Sequence, residues 1–147
     1  MSDAAFRCGT IGIIGRPNTG KSSLLNRFVG QKLSIVSPKA QTTRHLVTGI
    51  VTTPDCQFVF VDSPGFQTLH NNVLNNALNK RATEIARDAD VVLWVVEAPK
   101  LFDADRNLLA KIPLKQKVIA VANKVDLVKD RERLMPFLDR VAKERPF

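Results

Sequence analysis

Eight consecutive residues, Gly15-Arg16-Pro17-Asn18-Thr19-Gly20-Lys21-Ser22, set two glycines, a lysine and a hydroxyl at the spacing of a phosphate-binding loop. The glycines let the backbone curl so that successive N–H groups point inward as a nest for phosphate oxygens, which side chains at positions 15 and 20 would obstruct. Lys21 supplies the counter-charge to a β- and γ-phosphate, and Ser22 offers a hydroxyl to Mg²⁺. The expected nucleotide contacts therefore run from Gly15, Arg16, Pro17, Asn18, Thr19 and Gly20 to Lys21, Ser22 and Ser23. With average composition, this spacing arises by chance in on the order of half a percent of chains of this length.

A second constellation, Asn123-Lys124-Val125-Asp126, follows the apolar run Val118 to Ala122 and points to guanine. A carboxylate at the carboxyl end of a parallel strand can accept paired hydrogen bonds from the N1–H and the exocyclic amino group of guanine, which adenine does not offer. Asp126 is the candidate for that role. Asn123 is expected to bond the far side of the base and tie its loop to the phosphate loop, with the methylene stem of Lys124 along the ring face. Between the two lies Asp62-Ser63-Pro64-Gly65, after the apolar run Phe58 to Val61. Asp62 is expected to hold Mg²⁺ through water, and the Gly65 N–H to sense the γ-phosphate. Loss of that phosphate would release the segment beyond Gly65, a two-state element.

These motifs need strands to end at them and helices to start from them. The pattern predicts a strand Thr10 to Ile14, a helix from Lys21 stopping at Gly30, strands near Leu46 to Thr53 and Phe58 to Val61, and a helix Asn71 to Arg87. A strand Val91 to Val96, a helix Asp103 to Lys111, a strand Val118 to Ala122 and a helix Asp130 to Lys143 follow. This alternation predicts an α/β fold, a doubly wound and mostly parallel sheet of the P-loop NTPase kind. Thr53-Pro54-Asp55 has turn chemistry, so the strands around it should form one antiparallel edge hairpin. Pro136 should sit in the first turn of a helix or kink it.

The three motifs in this order resemble the translation-factor-like GTPases, and the stretch from Gln31 to His45, with its Lys39-Ala40-Gln41-Thr42-Thr43-Arg44-His45 string, is similar to the Era GTPases. The resemblance covers essentially the whole chain; that string separates Era from relatives such as the double GTPase Der. It implies a Mg²⁺-dependent GTPase that binds 16S ribosomal RNA and helps to mature the small ribosomal subunit, in the cytoplasm, with peripheral contact at the inner face of the membrane as an additional implied partner surface. In that family the Thr-Thr pair belongs to the first switch, which makes Thr43, or else Thr42, a Mg²⁺ ligand and a catalytic residue beside Lys21, Asp62 and Gly65.

A related subset of GTPases uses an Asn at the place of Asn18 to hold K⁺ against the phosphates, so Asn18 is a K⁺ candidate. Where a Ras-like enzyme has a water-orienting Gln after the Asp-x-x-Gly turn, this chain has Phe66, whose side chain neither donates nor accepts a hydrogen bond. Ser63 stands where the family usually has Thr. The chain stops at Phe147, before the Ser-Ala motif that completes the guanine pocket, the last strand and helix, and the RNA-binding KH domain; the resemblance therefore implies residues 1–147 of a truncated GTPase domain. The alternatives are a non-catalytic guanine-nucleotide or RNA-docking fragment, and the first domain of a Der-like assembly factor.

Bulk properties allow this reading. The 147 residues fit one domain, and 44% hydrophobic with 24% charged residues is an ordinary globular balance. The longest apolar stretch, Val91 to Val96, is far too short to span a bilayer and reads as a fully buried parallel strand. Cys8 and Cys56 lack metal or redox spacing. A formal charge of +8, from 22 Lys and Arg against 14 Asp and Glu, favours an anionic partner, although no aromatic residues interleave with the basic ones as in a base-stacking platform.

Overall fold

The computed structural model describes residues 5–30 and 47–147. Strand β1 (Arg7–Gly15) leads through the phosphate loop into helix α1 (Lys21–Val29), which closes at Gly30 with a hydrogen bond from its N–H to Asn26 O (2.9 Å). Strands β2 (Val47–Thr52) and β3 (Cys56–Asp62) pair antiparallel, Val51 opposite Phe58. Their connecting turn is tied by Thr53 N–H to Cys56 O (2.8 Å) and Thr53 Oγ1 to the Cys56 carbonyl (3.1 Å), as the Thr-Pro-Asp chemistry predicts.

Helix α2 (Val73–Asp88), strand β4 (Val91–Glu97), helix α3 (Asp103–Ala110), strand β5 (Val118–Asn123) and helix α4 (Leu134–Lys143) complete the alternation. The strand order is β2-β3-β1-β4-β5, parallel from β3 through β5. β4 is the buried central strand expected of an unbroken apolar run, with Val92 through Val96 covered on both faces. Ile14, Val92, Trp94 and Val96 face the side where α2, α3 and α4 pack through Ala86, Leu108 and Phe137. Ile13, Leu93, Val95 and Phe60 face Leu25 of α1 on the other side. Helices on both faces make the sheet doubly wound. β5 is an edge strand, and its Ile119 is 55% exposed.

Two helix starts differ from the periodicity. The first begins at Val73, not Asn71, because Asn72 acts as its cap, accepting from Asn75 N–H (2.8 Å). The expected single helix from Asp130 is instead a one-turn 3₁₀ helix, Arg131–Arg133, capped by the Asp130 carboxylate on Glu132 N–H (3.1 Å), followed by α4. Pro136, third residue of α4, occupies the first turn, where its missing N–H leaves no helical bond unmade.

Candidate functional site

The carboxyl ends of β1, β3 and β5 lie at one edge of the sheet, and the three motifs leave from them. At the end of β1 the chain turns through Asn18 (φ 62°) and Gly20 (φ 98°), both left-handed, before entering α1. Gly20 is required twice over: its φ disfavours a side chain, and a Cβ there would collide with the Asn123 amide. Thr19, fully buried, donates from Oγ1 to Arg16 O (3.0 Å) and holds the loop closed.

Lys21 folds back over this loop. Its Nζ donates to Arg16 O at 2.7 Å, and the residue is 6% exposed. Burial pulls its amine from 10.5 down to about 8, opposed by the Asp62 and Asp105 carboxylates and reinforced by the Arg16 and Lys124 charges. A buried lysine at a helix start, its pKa drawn down by burial, is suited to pairing with an anion, which would hold its charge.

Asp62 closes β3 and is completely buried; its Oδ2 accepts from Ser22 Oγ at 2.7 Å. A hydroxyl and a carboxylate in contact at the foot of the loop are hard oxygen ligands of the kind Mg²⁺ takes. Mg²⁺ is usually held by one or two protein oxygens with phosphate and water as its other ligands, which a pair of this kind fits. Ser63 N–H donates to Ile13 O (3.1 Å) and Phe66 N–H to Gly15 O (2.9 Å), which anchors Asp62-Ser63-Pro64-Gly65 across β1. Gly65 sits against the phosphate loop so closely that a Cβ would lie 2.8 Å from Pro17. The Phe66 ring is 2% exposed and belongs to the core under α2 and α3, pointing away from the loop surface.

Asn123 donates from Nδ2 to Thr19 O (2.8 Å), and Lys124, itself left-handed at φ 59°, reaches Asn18 O and the Glu97 carboxylate (3.1 Å) with its Nζ. The Asn-Lys pair thus bonds to the phosphate loop directly. Asp126 lies on the one-turn 3₁₀ helix Val125–Leu127 and is exposed. Thr42 and Thr43, with Arg44 and His45, lie outside the described residues.

Two carboxylates that the sequence pattern did not single out complete the arrangement. Asp105, wholly buried, accepts Arg16 Nε at 2.8 Å while its other oxygen caps α3 by accepting Phe102 N–H (2.9 Å). The Arg16 guanidinium also lies 4.1 Å over the Phe102 ring. Burial pushes the Asp105 carboxyl up, and the Phe102 N–H and Arg16 hold it back. Arg16 is consequently a clip between loop and α3; its side chain points to that carboxylate, while its carbonyl serves Lys21 and Thr19. The available signal was an acidic residue three positions after Phe102, a helix-cap spacing, but its partner lies 89 residues away in sequence. Glu97, at the end of β4, holds Lys124 in the same way.

The family described as 50S ribosome-binding GTPase matches residues 10–124. GTPase Era of Chromobacterium violaceum is 51% identical over 147 residues, which cover all of this chain and 50% of that protein. Among solved structures, Era in complex with MgGDPNP and nucleotides 1506–1542 of 16S ribosomal RNA is 35% identical with a TM-score of 0.87, the match covering 97% of this chain and 49% of that one. A variant of Aquifex aeolicus Era bound to GDP·AlF₄⁻ is 35% identical with a TM-score of 0.85, over 95% of this chain and 48% of that one. The chain spans about half the length of the curated relatives it matches. With the family match running from β1 to the Asn123-Lys124 pair that closes onto the phosphate loop, the chain belongs to the 50S ribosome-binding GTPase family.

Proposed function

We propose that this chain binds a guanine nucleotide with Mg²⁺ and hydrolyses GTP to GDP and phosphate as an Era-type switch. The observation that carries the reading is the joining of three sequence-distant motifs at one sheet edge: Asn123 on Thr19, Ser22 on Asp62, and Gly65 against Pro17. The loop amides and Lys21 bind the phosphates; Asp126 accepts from guanine; Ser22, Asp62 and Thr43 hold the metal. Mg²⁺ held there would neutralise the negative charge of the phosphates. Complexes of the Era relatives with MgGDPNP and GDP·AlF₄⁻ support nucleotide and metal class.

Because the Phe66 side chain neither donates nor accepts a hydrogen bond, the attacking water would be oriented by other groups, and K⁺ held by Asn18 would add positive charge to the site. The partner of the whole protein is ribosomal RNA of the small subunit, during assembly of that subunit in the cytoplasm. Although the family description refers to 50S, the Era relative of known structure holds 16S nucleotides, and a specific complex outweighs a family-wide description. We read residues 1–147 as one GTPase domain, with the RNA-binding KH domain of the family elsewhere in the longer protein. Peripheral membrane contact is a further proposal, tested by co-sedimentation with anionic vesicles; among the described residues no helix is long and apolar enough to cross a membrane.

Phosphate release from GTP by this chain, with Lys21→Ala as control, is the test. The reading expects turnover that needs Mg²⁺ and Lys21 and a preference for GTP over ATP; equal use of ATP would overturn it. The buried Phe66 favours one second reading, a non-catalytic guanine-nucleotide module, which predicts tight GTP binding without phosphate release.

A further inference from the structure

Beside the nucleotide site, a cavity of about 610 Å³ opens between α2, the end of α3 and the segment that begins one residue after Gly65. Its lining includes His70, Lys80, Arg87 and Lys111 with a set of amides and hydroxyls, and no Asp or Glu. Lys80, Arg87 and Lys111 make no ion pair among the described residues, whereas Arg16, Arg81, Arg106 and Lys124 each do.

The charge is sorted by helical periodicity. Residues 76, 79, 80, 83 and 87 fall on one stripe of α2 and face the groove. Arg81, Glu84 and Asp88 fall on the other flank, where Arg81 and Glu84 pair at 3.5 Å and line a separate small cavity. A solvated helix face would mix its charges; here the acids are kept off one side. Lys80 and Arg87 stand seven residues apart, about 10 Å along the axis, a length that successive phosphates of one strand can bridge.

The opposite wall is fixed in place. Asn79 reads the Gln67 backbone from both sides, accepting its N–H (3.1 Å) and donating to its carbonyl (2.6 Å), and Asn75 Nδ2 donates to His70 O (2.8 Å). The groove is therefore a built surface of uncompensated cations and amide groups, with Phe66 sunk into the core beneath it and the exposed His70 imidazole as its one ring at the surface. A single imidazole is no run of stacking rings, and the lining holds no exposed aliphatic side chain to anchor a peptide, so the recognisable chemistry is a row of phosphates.

We propose that this groove docks the phosphodiester backbone of a single-stranded RNA segment, without reading its bases. The proposal rests on the RNA-partner reading above and adds the surface within this chain that performs it. Because its wall starts immediately after Gly65, bound RNA and the nucleotide-sensing segment share one structural element.

The test is fluorescence anisotropy of a short labelled RNA of mixed sequence with the wild-type chain, Lys80→Glu/Lys111→Glu, and the charge-matched control Arg131→Glu/Arg133→Glu on the 3₁₀ turn before α4. Melting temperature and GTP affinity serve as folding controls for all three proteins. The groove variant should lose at least about tenfold in affinity and flatten the log–log salt dependence by about 1.4, for two single-strand phosphate contacts; the control should lose far less. Equal losses in both variants would reduce the effect to net charge and overturn the proposal. Displacement of the RNA by millimolar inorganic phosphate but not by chloride of equal ionic strength would assign the groove to a compact anion. Equal competition by polyglutamate would assign it to an acidic polypeptide. Absence of RNA binding by the wild-type chain in low salt would overturn the groove while leaving an RNA partner of the longer protein intact.

Discussion

The two ends of the proposed nucleotide site are built differently. At the phosphate end, Thr19, Lys21 and Asp62 are buried; Thr19 Oγ1 and Lys21 Nζ donate to the Arg16 carbonyl, and Asp62 Oδ2 accepts from Ser22 Oγ. At the base end, Asp126 stands exposed on a single 3₁₀ turn, which Lys124 and Asn123 tie to the phosphate loop on one side and buried Val128 anchors on the other. Recognition of charge gains from removing water and fixing dipoles beforehand, because each interaction is worth more in a low-dielectric, preorganised setting. Recognition of a base edge needs one correctly aimed carboxylate, and an exposed rim lets the planar ring enter before it is desolvated. On the proposed reading, affinity is concentrated in the buried end and selectivity in the rim.

The strongest way to break this contrast is Lys21→Ala. Turnover of GTP should fall about 10³-fold, or about 4 kcal/mol, while affinity for guanosine, which has no phosphates, stays within twofold; steady-state phosphate release and calorimetry read the two. At the other end, Asp126→Asn should weaken GTP roughly 10²-fold, or about 2.8 kcal/mol, leave tripolyphosphate binding unchanged and improve xanthosine triphosphate, whose 2-oxo group matches an amide donor. Competition binding with the three ligands checks it, and an equal loss for tripolyphosphate would show that the ends are not separable.

Asp105→Asn removes the charge that holds Arg16 and should cost roughly 1–3 kcal/mol of stability, measured by urea unfolding, with a larger loss in GTP affinity than in guanosine affinity. Lys21 gives a finer probe. Its amine titrates near 8 in the free site, and bound phosphate should raise that value. Nucleotide binding should then take up most of a proton at pH 8.5 and little at pH 7, read by calorimetry in buffers of different ionisation enthalpy; in Lys21→Met the difference should vanish. Smallest is the ionic effect: turnover in KCl should exceed that in NaCl at equal ionic strength severalfold, and equality would remove K⁺ from Asn18.

Much of the fold was legible because apolar runs ending in Gly15, Asp62 and Asn123 look the same in any strand that finishes at a ligand-facing edge. The caps were less so. Asn72 and Asp130 shifted two helix starts, since a side chain that satisfies a backbone N–H decides a boundary that periodicity leaves vague. Asp105 and Glu97 were not legible as site residues. Their roles depend on which cation the fold carries to them, and 89 residues separate Asp105 from Arg16 while 27 separate Glu97 from Lys124.

The sequence by itself determined the phosphate loop, the order of strands and helices along the chain, and the residue types available for metal and guanine, because spacing within a loop is a local property of the backbone. Only the tertiary structure decided that Phe66 turns into the core, that Arg16 is spent on Asp105, and that Lys111 joins Lys80 and Arg87 in one groove. Each of these depends on which side chains become neighbours across the sheet, and burial and charge pairing are set by neighbours in space.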